Sequence, residues 1–339
     1  MKLGLTIAAA LTGIAAAAVA FTTFTVPPLA AVQNGWRGTG MVQIDTKANA
    51  AARKADNAVP EAQPAADKAN EKSSVAYKNV KVLGDVDSAE FLRLMTAITE
   101  WVAPEQGCTY CHKEGAELDD DSLYTKVVAR RMLQMTMAIN AGWKSHVAET
   151  GVTCYTCHRG QPVPANVWSL QTAADTPPYA GNKDKQNYPS GHVGVASLPN
   201  DIYAPYLSKA TEIRVESKKA LPTGPNPSIQ ATEQTYGLMM HMSQGLGVNC
   251  TFCHNTQNFG EWSTSTPQRV TAWHGIRMMR EINNTYIDTL ADVFPADRKG
   301  PAGDVLKANC ATCHAGESKP LYGVSMVKDY LELKAAPPR

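Results

Sequence analysis

Four copies of one short pattern commit this chain to a single kind of chemistry: Cys108-Thr-Tyr-Cys111-His112, Cys154-Tyr-Thr-Cys157-His158, Cys250-Thr-Phe-Cys253-His254 and Cys310-Ala-Thr-Cys313-His314. Together they use all eight cysteines of the 339-residue sequence. Zinc clusters and disulfide scaffolds also use paired cysteines. Neither needs a histidine directly after every second cysteine, whereas C-x-x-C-H is the attachment signature of a c-type haem. The two thiols fix the porphyrin and the adjoining histidine is the proximal iron ligand. The pattern predicts four covalent haems, assembled outside the cytoplasm. It also alters how the core is counted. With only six Phe and six Trp, the interior can be filled by macrocycles, so a mainly α chain with much irregular structure is expected. A formal charge of +1 argues against a nucleic-acid partner.

Residues 1–26 carry no charge after Lys2 and are long enough to span a bilayer at ~1.5 Å per residue. An N-terminal transmembrane helix is expected, with Lys2 on the cytoplasmic side and the haem domain in the periplasm. The alternative is a cleaved secretory signal ending near Ala18-Val19-Ala20. Residues 27–80, rich in Ala, Lys, Pro and Asn, predict an extended tether. Within it, 47–72 has the most disorder-prone composition, and VKVLGDV is a candidate short strand. Residues 81–160 are expected to hold a first haem pair, 161–228 a proline-rich connector with short elements near 200–216, and 229–330 a second pair. Residues 331–339 form a tail.

The sixth ligands come next. SAEFLRLMTAITEWV, capped by Asp87 or Ser88, predicts an amphipathic helix with Phe91, Leu92, Met95 and Ile98 as its apolar stripe. A stripe methionine is ordinarily core filler, but here an iron held thirteen residues on, at Cys108, lacks a partner. Met132 and His146 lie fourteen residues apart in the segment 127–160. If that segment is one helix, the two are separated by a rise of ~21 Å and share a side, so they would serve different haems.

The second half repeats the first. QTYGLMMHMSQGLGVNCTFCH echoes EFLRLMTAITEWVAPEQGCTYCH, with Met239 eleven residues before Cys250. RVTAWHGIRMMREINNTY echoes RRMLQMTMAINAGW. Setting Asn140 against Asn283 places Gly275 where Met132 stands and Thr289 where His146 stands. The fourth haem's own helix thus supplies neither donor, and His146 is the natural lender. This bookkeeping gives three His/Met irons and one His/His iron, in two pseudo-twofold-related haem pairs. Thioether ligation raises a c-type haem's potential and a second imidazole leaves it lower. Six-coordinate irons favour electron transfer over catalysis.

Weaker candidates accompany these. Glu114, Glu117 and Asp119–Asp121 read as a solvated loop or as an acidic docking surface for a basic redox partner. Arg130, Arg131, Arg269 and Arg277 are candidate propionate partners. His241 and His274 are alternative ligands beside the ligand helices, and His192 reads as a surface residue.

On these residues the chain resembles the tetrahaem cytochrome subunit of purple-bacterial photosynthetic reaction centres. The resemblance runs from about Tyr77 to Tyr330. It is carried by YKNVKVLGD, EFLRLMTAITEWV, GCTYCH, VVARRMLQMT, GVTCYTCHRG, GVNCTFCHN, STPQR, GIRMMREIN and CATCHAG followed by KPLYG. It implies Met95 with His112, Met132 with His158, Met239 with His254, and His146 with His314 as axial pairs. It further implies a haem row ordered first, second, fourth, third towards the bacteriochlorophyll special pair. The expected function is re-reduction of that pair by a membrane-bound relay, with no enzymatic step. The expected partners are the reaction-centre core subunits, the light-harvesting antenna, and a soluble periplasmic cytochrome c or high-potential iron–sulfur protein. Many members of the family carry a lipid-bearing cysteine near the N-terminus. The first cysteine here is Cys108, so that anchor is not carried over. A multihaem reductase would need a five-coordinate iron, and a tetrahaem quinol dehydrogenase would need a quinol pocket at the membrane face.

Overall fold

Short polar side chains start three of this chain's helices, with Thr46, Asp87 and Asn309 each accepting a hydrogen bond from a backbone N–H of the first turn. A computed structural model describes residues 2–23, 29–170, 198–199, 201–215 and 229–337. His192 lies outside the described residues. The described chain is mainly helical with much irregular structure.

Helix α1 (Lys2–Thr23) is apolar along its length. Its Thr6–Thr23 stretch, of mean hydropathy 1.7, is long enough to cross a membrane. Strands β1 (Leu29–Asn34) and β2 (Met41–Thr46) form an antiparallel hairpin. Helix α2 (Lys47–Asp56) follows, its first turn capped by Thr46, whose Oγ1 accepts from the Asn49 N–H at 3.0 Å. Sequence composition predicted a tether here, disordered from 47, and the structure differs. The Met41 N–H donates to Thr251 Oγ1 at 2.8 Å, and that hydroxyl donates to the Asn34 carbonyl at 2.7 Å. Asn57 Nδ2 reaches the Ala315 carbonyl. The order comes from polar contacts with residues more than 200 positions away, which local composition does not register. VKVLGDV is not a strand. Its Val82 and Leu83 are buried in a turn beside the single-turn helix α3 (Ser73–Ala76).

Helix α4 (Ser88–Val102) starts at Asp87, whose carboxylate accepts from the Ala89 N–H at 3.0 Å. Its buried face is Leu94, Ala97 and Trp101, packed with Leu133, Met137, Val327, Tyr330 and Leu333 in one core. The expected stripe of Phe91, Met95 and Ile98 is only half-buried, and Leu92 is 58 % exposed. That stripe lines a cavity, with Phe91, Met95 and Ile98 also packing at the edge of the same core.

Helix α5 (Tyr124–Gly142) and the short α6 (Lys144–Val147) replace the single helix expected through Met132 and His146. The backbone leaves helical geometry at Trp143 (φ −110°, ψ 34°). Gly142 lowers helix propensity by about 1 kcal/mol relative to alanine, and Trp143 packs against the second core. Helix α7 is Cys154–His158. In the second half come α8 (Ile229–Leu246), α9 (Gln268–Glu281), which continues into a wider turn Ile282–Ile287, and α10 (Cys310–His314). The short turn Ala204–Ser208 buries Tyr206 and Leu207 in the second core with Leu238, Ile276 and Met279.

The two halves make matching contacts. Asn140 Nδ2 donates to the carbonyls of Val152 and Leu333, and its Oδ1 accepts from the Val152 N–H. Asn283 Nδ2 donates to the carbonyls of Ala308 and Leu207, and its Oδ1 accepts from the Ala308 N–H. Val152 and Ala308 each stand two residues before a motif's first cysteine. The Gly160 N–H donates to the Trp101 carbonyl and the Gly316 N–H to the Gly245 carbonyl, both at 2.8 Å.

Candidate haem sites

The four motifs fall into two alternating classes. The second and fourth are single α-turns, α7 and α10, closed at their starts by a polar residue three places before the last cysteine's neighbour. The Thr153 N–H donates to Thr156 Oγ1 at 3.0 Å, and the Asn309 N–H to Thr312 Oγ1 at 2.9 Å. Each ends in a left-handed residue, Arg159 (φ 49°) or Ala315 (φ 46°). The first and third are 3₁₀ turns, Gly107–Tyr110 and Cys250–Phe252. The Thr125 and Thr266 hydroxyls donate to the carbonyls of Tyr110 and Phe252, both at 2.5 Å.

Five histidines share one arrangement. Nδ1 of His112 lies 3.1 Å from the Leu118 carbonyl, that of His158 2.8 Å from Gln161, and that of His254 2.9 Å from Phe259. Nδ1 of His314 lies 2.8 Å from the Glu317 carbonyl, and that of His146 2.9 Å from Thr271. A carbonyl can only accept, so each Nδ1 carries the proton and Nε2 is left with its lone pair for a metal. Burial holds His112, His146, His158 and His254 below the ordinary imidazole range and pushes His314 down to about 4. Neutral rings are what a metal needs. Burial also pushes the thiols of Cys111, Cys154 and Cys253 up to about 11 and that of Cys310 to about 12. Among the described residues no cluster of three His, Cys, Asp or Glu side chains could hold a metal ion.

A cavity of about 1030 Å³ runs between the halves, walled by Met95, His112, Met132, His146, His158 and His314. That is the upper end of the ~300–1,000 Å³ found for small-molecule sites. Its walls also include both cysteines of the first, second and fourth motifs. The third set is not gathered there. Met239 packs on α8 against the second core, and of its motif only Phe252 and Cys253 reach the cavity wall.

His146 and His314 face each other with ring centroids 6.1 Å apart. They come from opposite halves, and His146 reaches across to α9. There a Cβ on Gly275 would stand 2.5 Å from His146 Cε1. The residues present fit tetrapyrrole iron: a large, mostly apolar cavity, thiols paired at its wall, and imidazoles with Nδ1 committed elsewhere.

Two placements differ from a simple motif reading. Cys157 and Cys313, 156 residues apart, are joined by a disulfide with Cα atoms 4.3 Å apart. A sulfur in that bond cannot also hold a porphyrin. Arg159, passed over in the sequence, ties the same two motifs together: its Nη2 donates to the Cys313 carbonyl and to Asn57 Oδ1. Its position directly after His158 was the available signal.

The four arginines singled out all engage protein groups. Arg130 pairs with Asp121, and Arg131 donates to the Thr285 carbonyl. Arg269 lies over Trp262 and Arg277 over Trp273. The acidic loop is stapled to its own half, since Lys126 and Arg130 both hold Asp121, whose carboxyl is kept well below the usual range chiefly by Arg130. His241 pairs through Nδ1 with the Tyr203 hydroxyl at 3.1 Å, and His274 packs edge-on against Trp273.

Residues 25–334 match the family model described as photosynthetic reaction centre cytochrome C subunit. The photosynthetic reaction center cytochrome c subunit of Rubrivivax gelatinosus is 52 % identical over 313 residues, 92 % of this chain and 85 % of that protein. The protein of the same name from Thermochromatium tepidum is 51 % identical over 306 residues, covering 90 % and 75 %. That of Roseobacter denitrificans is 42 % identical over 317 residues, covering 90 % and 85 %.

Proposed function

The chain belongs to the family of photosynthetic reaction-centre cytochrome c subunits, and from that premise we propose how its own residues build the electron relay. It carries covalently bound haem c, associates with the reaction-centre core at the membrane, and donates electrons to the reaction centre. It is an electron-transfer component and not an enzyme.

Our reading assigns four haems, each supplying a one-electron couple when bound. Cys108 and Cys111, Cys154 and Cys157, Cys250 and Cys253, and Cys310 and Cys313 hold them as thioethers. Cys157 and Cys313 take part only with the bond between them open; its presence marks how closely α7 and α10 sit. His112, His158, His254 and His314 are the proximal ligands, each oriented by the carbonyl at its Nδ1. Met95, Met132 and Met239 would complete the donor sets of three irons, and His146 that of the fourth. Residues 81–160 and 229–330 form the two pseudo-twofold haem pairs, with 27–80 leading into them, 161–228 connecting them and 331–339 following, its Leu333 packed into the first core. The matched contacts of Asn140 and Asn283 support that symmetry.

The observation that carries this reading is the facing of His146 and His314. Two imidazoles bound to one metal by bonds of about 2 Å hold their ring centroids about 6 Å apart, and these lie 6.1 Å apart. With His146 and His314 both as donors, that iron would have no position left for a small substrate. What remains for it is to space the centres, exclude water and set each potential through ligand and burial.

The relay takes electrons from a soluble periplasmic cytochrome c or high-potential iron–sulfur protein and re-reduces the special pair, the haem domain lying on the periplasmic side beside the antenna. Helix α1 would serve as its membrane anchor. The test is a flash on isolated native membranes with haem α-band absorbance followed in time. Haem oxidation should follow special-pair bleaching. No oxidation in membranes with all four haems present would remove the assignment.

A further inference from the structure

Gly275 occupies, in the second half, the place that Met132 occupies in the first, and it is there that the borrowed histidine arrives. A Cβ built on it would lie 2.5 Å from His146 Cε1, 2.9 Å from Nδ1 and 3.2 Å from Nε2. Real Cβ atoms do not come within 3.0 Å of such neighbours, so even alanine would force the ring to move. The ring has little freedom to do so. Its Nδ1 is bound to the Thr271 carbonyl, one helical turn before Gly275 on the same helix, at 2.9 Å. Its other edge faces His314. The backbone φ at Gly275 is not one that requires glycine, since the residue sits within α9. A glycine there costs helix stability relative to alanine, so its place needs another physical reason, and the imidazole supplies one.

We infer that Gly275 is a positioning residue: the notch it leaves in α9, with the Thr271 carbonyl as its latch, seats His146 opposite His314 and so fixes the ligation of the fourth haem. The inference rests on the reading of His146 and His314 as an axial pair. The missing methionine and the room for the lent histidine are then one feature of the chain. Removing the thioether from this helix opens the space in which another half's imidazole is received.

The test uses the complete subunit in its reaction-centre complex, with four variants read by redox titration and by the electron paramagnetic resonance of the ferric haems. Gly275→Ala should shift the potential and the bis-imidazole signal of one haem and leave the other three unmoved. Gly13→Ala, on α1 where an added Cβ meets nothing within 4 Å, should change none. If Gly275→Ala leaves all four haems as in the wild type while His146→Ala alters one, the notch is not what seats the ring and the inference fails alone. If His146→Ala also alters none, the ligand reading fails and takes the inference with it. Should Gly275→Ala assemble poorly, His146→Gly in the same chain removes the obstructing ring. Recovery of haem content in that double variant supports the notch, and no recovery overturns it.

Discussion

Arg53 and Glu317 join the N-terminal arm to the turn that orients the fourth motif's histidine. Arg53 Nε donates to Glu317 Oε1 at 3.1 Å, and the Glu317 carbonyl accepts from His314 Nδ1 at 2.8 Å. Arg53 also pairs with Asp45 on β2, and its Cδ lies 2.7 Å from where a Cβ on Gly316 would stand. One guanidinium therefore links hairpin, helix and motif.

Arg53→Ala should lower stability by about 1–2 kcal/mol, the range for partly buried charged hydrogen bonds. The loss should depend on pH. Arg53 holds the Asp45 carboxyl below its ordinary value, so the contribution is complete above the unfolded pKa of ~3.9 and fades as pH falls through the depressed folded value. Thermal melting across pH 2–7 reads both effects (~2–7 spans the carboxylate range). Equal melting curves for variant and wild type at neutral pH would refute the brace.

Asn140→Ala and Asn283→Ala should cost similar amounts, roughly 2–4 kcal/mol, because each strands a buried N–H and two carbonyls. Asn140 is 5 % exposed and Asn283 fully buried. Calorimetry of the two variants compares the halves directly. A large loss for one and none for the other would show that the matching contacts are not equivalent.

Haem stoichiometry decides between thioether and disulfide at Cys157 and Cys313. Intact mass and haem assay on purified protein should give four attached haems and no free or disulfide-bonded cysteine. A surviving Cys157–Cys313 bond would leave only the first and third motifs able to form both thioethers.

Met132→His should lower one potential and spare the other three, since imidazole in place of a thioether stabilises the oxidised iron. Stepwise redox titration measures it. A shift in a second haem of comparable size would mean that Met132 is not the ligand of a single centre.

Much of this was legible in the bare chain because its signals are local. Asp87 caps α4 as its side chain allows, and the alignment of Asn140 with Asn283 survives in their hydrogen bonds. Other features were not legible. The core face of α4 was one: the expected stripe of Phe91, Leu92, Met95 and Ile98 lines the cavity, where a ligand Met95 belongs, while Leu94, Ala97 and Trp101, which went unnamed, make the core. At Trp143, where the helix breaks, the side chain packs against a core drawn from both halves. Residues 29–57 looked unstructured because their order lies in contacts with Thr251, Ala315 and Glu317.

Sequence alone determined that four Cys-x-x-Cys-His runs are the places suited to take a porphyrin, because five consecutive residues carry that chemistry complete. The repeat pointed to His146 as the partner of His314, but only the tertiary structure set their rings 6.1 Å apart and brought Gly275 against the lent imidazole. His146 and Gly275 are more than a hundred positions apart, and their meeting depends on how two helices pack, which no local pattern specifies.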